Sequence, residues 1–458
     1  MKTDDALFVT RIEVRKLFGL YDYVLEKTTS GEDPGRVAIL YGDNGSGKTT
    51  ILRSVFHLLA PDESSGHKTA IARTPLSMLS VTLSDGSEIR VERPKEELLG
   101  GFQLTIRRKR AKPDSFSFPV DQEMSVSPKS ETKEEREEIT RCLRNLKEFN
   151  LGLYHLADDR TIELAGSAVP NAVEHQMEIG MDSEEEVIIS RTGRPPQFVR
   201  RIPKRPGEIA ANLLEQSMNR FALWVKNLAL RASSAGDSSV NTLYAEILAR
   251  LARAPVTDAK SPPLDKNQLR VRIEAIQSRS QALARYGLVP EFSGQQILQQ
   301  LRAATKSDTV SVMAHVLAPY IESLERRLDA LTHTFEIVDN LVGIVNGFLS
   351  HKQVVFHVHE GLSILTDKAK SLSPYNLSSG ERHLLLIFCN TSVAIEHPSI
   401  FMVDEPEISL NIKWQRSLIS SLCKCIGTNP VQYILATHSL EIISQYRDRV
   451  LRLTPIEE

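Results

Sequence analysis

The stretch Gly42-Asp43-Asn44-Gly45-Ser46-Gly47-Lys48-Thr49-Thr50 constrains this chain more than any other, because it carries the spacing G-x-x-x-x-G-K-T of a P-loop. Such a loop has meaning only between a strand and a helix, and both flanks are present. Arg36-Val37-Ala38-Ile39-Leu40-Tyr41 is an apolar run with the length of a buried strand. After the loop, apolar residues at 51, 52, 55, 58 and 59 form a helical stripe, which Pro61 stops. The glycines let backbone N–H groups turn inward, and the helix N-terminus adds partial positive charge, so the loop is shaped for phosphate. In such a loop Lys48 reaches the β- and γ-phosphates, and the Thr49 hydroxyl ligates Mg²⁺.

Three later stretches fit the same kind of site. Ser399-Ile400-Phe401-Met402-Val403-Asp404-Glu405-Pro406 is an apolar run that delivers two carboxylates, as a Walker B strand does. Asp404 is then placed to bind the metal and Glu405 to polarise a water as general base. Val431-Gln432-Tyr433-Ile434-Leu435-Ala436-Thr437-His438-Ser439 is a second apolar strand, ending in a histidine. Leu377-Ser378-Ser379-Gly380-Glu381 precedes an apolar helical run, so Ser378, Ser379 and Gly380 fall at a helix N-terminus. Glu381 also completes a capping box with Ser378, which leaves the remaining N-terminal donors aimed outward.

In this order, the four stretches resemble the ABC-type ATPases of the Rad50, RecF and OLD group rather than transporters. The Leu-Ser-Ser-Gly-Glu and Asp-Glu-Pro-Glu-Ile-Ser-Leu variants resemble ATPases of bacterial defence operons, most of all the ATPase subunits of PARIS-type anti-phage systems. The resemblance covers roughly residues 6–110 and 350–458. It implies an α/β, ABC-type P-loop ATPase head, a mixed sheet with flanking helices, split by a helical and partly coiled-coil insertion. It implies ATP and Mg²⁺ as cofactors. Gly42 to Thr50 of one head and Ser378, Ser379, Gly380 and Glu381 of a second would hold the nucleotide. Thr49 and Asp404 would hold the metal, Glu405 would act as base and His438 would contact the γ-phosphate. Two departures stand out. Ser379 replaces the usual second glycine of the signature, and the Q-loop glutamine has no clear counterpart, Gln103 being a weak candidate. Leu153–Arg160 resembles the strand ending in an arginine that these ATPases carry before their insertion.

The implied function is an ATP-hydrolysing switch or scaffold subunit of an anti-phage complex that controls a separate effector. The implied partners are a second copy of the chain in an ATP sandwich or higher oligomer, an effector of the TOPRIM nuclease kind, and a phage-encoded trigger. The alternative is a Rad50/RecF-like repair ATPase acting directly on DNA. A transporter ATPase is rejected because the large helical insertion is wrong for docking a membrane subunit. An appended OLD-type nuclease is excluded because only 20 residues follow His438.

A net charge of −2 argues against a whole-chain polyanion binder. Nucleic acid remains a candidate partner through the basic runs Arg107–Arg110 and Arg200–Arg205. No apolar run is long enough to span a bilayer, and no N-terminal segment resembles a signal peptide. The four cysteines (Cys142, Cys389, Cys423 and Cys425) read as reduced thiols, so the expected location is cytoplasmic.

Three regions are expected along the chain: 1–165 and 351–458 as the two parts of the head, and 166–350 as a mainly helical insertion with polar linkers. Residues 6–30, 77–93 and 101–110 read as strands, with Asp85-Gly86 at a turn. Residues 111–138 are rich in Pro, Ser, Lys and Glu and read as an exposed loop, and 161–208 read as a poor strand or helix former. Helices are expected over 208–253, 266–286 and 308–350, with a linker at 254–265. The last helix has apolar residues spaced by 3–4, which suits a helical hairpin or short coiled coil. Residues 353–365 read as a hairpin turning at Glu360-Gly361. His357 and His359 have no matching Cys or acid pair there, so they do not read as a metal site.

Overall fold

A computed structural model of the chain describes residues 7–26, 36–62, 66–94, 97–126, 133–166, 206–236, 266–304 and 307–454. The basic run 200–205, the linker 254–265 and the end of the 208–253 helix lie outside them. The chain divides into two units, residues 1–214 with 377–458, and residues 215–376. The expected borders were 165/166 and 350/351. The first unit reaches further into the first long helix, and the hairpin after residue 350 groups with the helices of the second unit.

In the first unit, β1 (Val9–Leu17), β2 (Tyr21–Glu26), β4 (Met78–Leu83), β5 (Glu88–Glu92), β6 (Phe102–Arg107) and β7 (Asp114–Phe118) form an antiparallel sheet in the order β2-β1-β4-β5-β6-β7. A second sheet has the order β15-β3-β14-β13-β8-β9. It comprises β3 (Val37–Tyr41), β8 (Gly152–Leu156), β9 (Ile162–Gly166), β13 (Ser399–Asp404), β14 (Val431–Thr437) and β15 (Val450–Arg452). All its neighbours run parallel except β8 and β9. The central strands β3, β14 and β13 are almost wholly buried, as expected for parallel strands covered on both faces.

Alternation along β13 sorts its side chains between those faces. Ile400 and Met402 join a core with helix α1 (Lys48–Leu59), α2 (His67–Arg73), α3 (Lys133–Lys147) and the antiparallel sheet. Phe401 instead stacks on Tyr154 and meets Tyr433 at a tilt, and the Tyr433 hydroxyl donates to Thr391. Buried Gln432 joins the two sheets by copying a backbone ladder. Its Oε1 accepts from the Val9 N–H (2.7 Å) and its Nε2 donates to the Val9 carbonyl (2.9 Å).

The expectation for 111–138 is corrected. Residues 114–118 form β7, with Phe116 and Phe118 buried at period two, and residue 133 opens α3, with Ile139, Cys142 and Leu146 buried at helical spacing. Likewise 162–166 form a strand within a stretch expected to be irregular.

The second unit contains most of helix α4 (Pro206–Gly236), α5 (Lys266–Ala284), α6 (Gln295–Ala303), α7 (Ser307–Phe348) and a three-stranded sheet of β10 (Lys352–His357), β11 (Gly361–Thr366) and β12 (Ser371–Leu372). Arg272 pairs with Glu325, Arg279 with Asp329 and Thr332, and Tyr286 with Asp339. Both sets of numbers climb together in steps of about seven residues, so α5 and α7 run parallel, as in a short coiled coil. His357 packs against Gly287, where an added Cβ would lie 2.4 Å from its ring. His357 and His359 form a ring pair (5.5 Å) beside the β10–β11 turn. The C-terminal part adds α8 (Ser379–Ala394), α9 (Ile412–Ile426) and α10 (Leu440–Gln445).

Candidate functional site

The register of the parallel sheet sets the site. Tyr41 lies opposite Thr437, Ala436 opposite Asp404, and Val403 opposite Leu156. The strands β3, β14, β13 and β8 therefore end at one level, and Gly42, His438, Glu405 and Ala157 leave the sheet along a single carboxyl edge. In open α/β sheets this edge is where ligands bind.

The loop from Gly42 to Gly47 turns through left-handed backbone at Gly45 (φ 85°) and Gly47 (φ 89°). The left-handed backbone at Gly47 favours glycine, and an added Cβ there would also have to displace the Leu17 side chain, 2.6 Å away. Among the described residues nothing lies within 4 Å of a Cβ built at Gly45, at the mouth of the loop. Asp43 and Asn44 are exposed on the same rim, and the Ser46 N–H closes the turn on the Asp43 carbonyl (3.1 Å). The Ser46 hydroxyl is buried without a hydrogen-bond partner among the described residues. Lys48 donates to the carbonyls of Gly42 (2.8 Å) and Asp43 (3.1 Å), which holds its ammonium at that mouth. Thr49 and Thr50 lie in the first turn of α1, where N–H groups have no intrahelical acceptor. The residues present thus suit a polyphosphate.

Asp404 is fully buried, and neither of its oxygens has a hydrogen-bond partner among the described residues. Burial raises its pKa, while the nearby Thr49 hydroxyl and the Lys48 ammonium act in the opposite direction. A buried carboxylate with two unpaired oxygens beside a hydroxyl suits a divalent cation.

The next residue, Glu405, has left-handed backbone (φ 48°). Its carboxylate contacts His438 Nδ1. Burial, then the Glu407 carboxylate, push Glu405 up to about 7, against the pull of His438. Glu407 Oε1 accepts from the Thr437 hydroxyl and from the N–H groups of His438 (3.1 Å) and Ser439 (3.0 Å). Glu405, Glu407 and His438 therefore converge, with ligand atoms within 4.8 Å of one another. The sequence reading missed Glu407. The acid two places after Glu405 in Asp-Glu-Pro-Glu was the available signal.

Ser378 caps α8 in a capping box. Its hydroxyl accepts from the Glu381 N–H (3.3 Å), and Glu381 accepts from the Ser378 N–H (2.7 Å). The Ser379 hydroxyl donates to Ser409 Oγ (2.9 Å). Gly380 lies against the Ser409 carbonyl, 2.5 Å from a would-be Cβ, so no larger residue fits there. Gln103 is not brought to this edge. It lies within β6, exposed, between Glu92 and Ser117 of the neighbouring strands, where it links no phosphate loop to the insertion. Two residues after β13's neighbour β8, this edge instead carries acidic Asp158, close enough to raise the Asp404 pKa.

A family described as "AAA domain, putative AbiEii toxin, Type IV TA system" matches residues 256–444, a span that contains 378–381, 404–405 and 438 but not the loop at 42–50. A "Putative ABC transporter ATP-binding protein" of Clostridium acetobutylicum is 25% identical over 27% of this chain and 43% of its own length. A protein of the same description from Methanosarcina acetivorans is 33% identical over 18% of this chain and 29% of its own. The chain thus spans less than half the length of these relatives. Among solved structures, the Smc head domain with an extended coiled coil bound to the C-terminal domain of ScpA, from Pyrococcus furiosus, aligns over 98% of this chain and 96% of its own, at 12% identity and a TM-score of 0.40. The Smc head domain of Pyrococcus yayanosii aligns with a TM-score of 0.36. The fold assignment rests on the strand order and motif placement above.

Proposed function

We propose that this chain, an ABC-type ATPase head carrying a helical insertion, is an ATP-hydrolysing switch whose sites are shared between two copies. One observation carries the reading. Ser379 is bonded to the loop that follows β13, whereas the P-loop follows β3, two strands away. At strand spacing this is about 10 Å along the sheet edge before loop height is counted. The signature helix N-terminus thus serves a nucleotide held by another head better than its own.

In this reading, Gly42 to Thr50 wrap the triphosphate, with Lys48 leaving the loop carbonyls for the β- and γ-phosphates. Thr49 and Asp404 would hold Mg²⁺, which would supply charge neutralisation at the phosphates. Glu405 takes the proton of the attacking water, and His438, held against Glu405, faces the γ-phosphate. Ser378, Ser379, Gly380 and Glu381 of the second copy close the site from the other side. Association and ATP occupancy are then mutually dependent.

The biological setting is a defence pair in which the switch restrains a separate effector of the TOPRIM nuclease kind until a phage-encoded trigger acts. The match to a family described by a toxin and a type IV toxin–antitoxin system supports that setting. No helix among the described residues is long and apolar enough to cross a membrane. Copurification from the native operon, followed by mass spectrometry, tests the pairing. Recovery of a nuclease-like protein is the expected result. ATP-dependent binding of bare DNA by the purified chain alone would favour the repair-type reading instead.

A further inference from the structure

The loop between β13 and α9 touches both halves of the site. At one end, Glu407 is fastened to Thr437, His438 and Ser439. At the other, the Ser409 carbonyl lies under Gly380, and its Oγ accepts two hydrogen bonds, one from Ser379 (2.9 Å) and one from Arg160 Nη2 (2.7 Å). The turn between them is tight. The Ile408 N–H bonds the Glu405 carbonyl (3.0 Å) and the Leu410 N–H bonds the Glu407 carbonyl (2.9 Å). Both Glu405 (φ 48°) and Ser409 (φ 66°) hold left-handed backbone, which side-chain-bearing residues adopt only when their surroundings enforce it. Arg160 is part of that enforcement. It follows β8, is itself left-handed (φ 72°), and stands beside Arg382, whose Nη1 donates to the Leu377 carbonyl (2.8 Å).

We propose that Arg160 is a positioning residue for the signature helix: through Ser409 it fixes Ser379, and so aims the Ser378–Gly380 turn at the nucleotide of a second copy. With the Ser379 proton committed to Ser409, the first turn of α8 is held from below, and the capping box holds it from its own side. The free donors of that turn then have one direction. The effect of Arg160 is therefore felt in the partner's site and not in its own P-loop, which lies after a strand three places away in the sheet. This inference rests on the shared-site reading above.

The test separates the two. Arg160→Ala and Ser409→Ala are each measured for binding of a fluorescent ATP analogue at protein concentrations low enough to keep the chains separate, and for steady-state hydrolysis at concentrations where they pair. The expected result is unchanged nucleotide binding with kcat lowered about 10–100-fold, from loss of an aimed, charge-assisted contact. The double variant should be no worse than either single, because the two residues act in one chain of contacts. Each variant is then mixed with Lys48→Ala under verified subunit exchange, beside a control mixture of Ser378→Arg with Lys48→Ala. If Arg160 acts across the interface, Arg160→Ala recovers turnover with Lys48→Ala as fully as Ser378→Arg does. For random pairing this approaches about a quarter of the wild-type rate, since half the pairs carry one intact site of two. Mixed with Ser378→Arg, it recovers none. Rescue in the control without rescue of Arg160→Ala overturns the proposal and leaves shared sites standing. Rescue by Ser378→Arg instead of Lys48→Ala places Arg160 in its own head's site and also overturns it. No rescue in the control overturns shared sites and this proposal together. A structural lesion alone would depress binding and all mixtures alike.

Discussion

Glu405 combines three features that pull in different directions: a left-handed backbone, a partly buried carboxyl and a histidine in contact with it. Its backbone N–H still bonds the Ala436 carbonyl (2.8 Å), so the strand pairing continues to the residue where the chain turns. The turn swings the carboxyl over the carboxyl edge instead of into the sheet. Glu405→Gln keeps this shape and removes the proposed base. Single-turnover hydrolysis should slow about 10²–10⁴-fold while ATP is retained, and wild-type turnover would remove Glu405 from that role. The pH profile follows from the same carboxyl. With its pKa pushed up to about 7, it holds its proton below that pH and cannot accept another. The rate at saturating ATP should therefore fall as pH drops through about 7, approaching tenfold per unit. His438 stabilises the charged form, so His438→Gln should move this limb to higher pH. A limb that stays in place would show that His438 does not act on Glu405.

Below the P-loop, α1 ends in a buried polar cluster. Lys68, fully buried, donates to the carbonyls of His57 (2.9 Å), Leu58 (3.0 Å) and Ala60 (2.9 Å), which the end of a helix leaves without intrahelical donors. Lys68→Met fills the space but strips three buried carbonyls of a partner. A loss of about 2–4 kcal/mol is expected, read as a lower urea midpoint, and an unchanged midpoint would mean that water replaces the ammonium. His57 faces His67 through their Nδ1 atoms (2.9 Å), and neither ring nitrogen of His155 has a partner among the described residues. Burial holds His57 down to about 2 and His155 down to about 4. The unfolded chain binds these protons near pH 6.5 and the folded chain does not, so stability is complete above that pH and declines as pH falls. Between pH 6.5 and 4, each histidine should contribute a slope of about 1.4 kcal/mol per unit, and His155→Phe should flatten the urea midpoint profile. Elements of this kind also mark where sequence reading succeeds. The strand–loop–helix around residues 42–50, the capping box at Ser378 and the strands that end at Asp404 and Thr437 were legible because they depend on local spacing. The hairpin at 353–365 was legible from alternation. Strand β7 and helix α3 were hidden because Asp and Ser on the strand, and Lys, Arg and Glu on the helix, dominate their exposed faces, although Phe116 and Phe118 alternate inward. Glu407, and Ser409 with its tie to Arg160, were also missed. They are polar loop residues without periodicity, and they meet only because β8 lands beside β13 in the sheet.

At the scale of the whole molecule, the P-loop strand of residues 37–41 pairs with a strand of residues 431–437, so the head exists only when both ends of the chain meet. The insertion between them returns the chain at Leu377, directly into the signature helix. The piece that would close a neighbour's site is therefore the first element of the head after the insertion. Shared sites carry a thermodynamic signature that a self-contained head lacks. If ATP is bound partly by a second copy, its affinity must depend on how many copies are paired, and pairing must depend on ATP by the same factor. Glu405→Gln chains, which hold ATP without turnover, are the material for this measurement. Their apparent ATP affinity should tighten as protein concentration rises through the association constant, and sedimentation should show association that requires ATP and Mg²⁺. Adding Ser378→Arg places a long cation at the helix cap and should remove both effects while leaving the affinity of the separated head in place. Oligomerisation through the helical insertion would not reproduce this pattern, because it would persist without ATP and leave affinity independent of concentration. An ATP affinity constant across a thousandfold range of Glu405→Gln concentration would rule out shared sites.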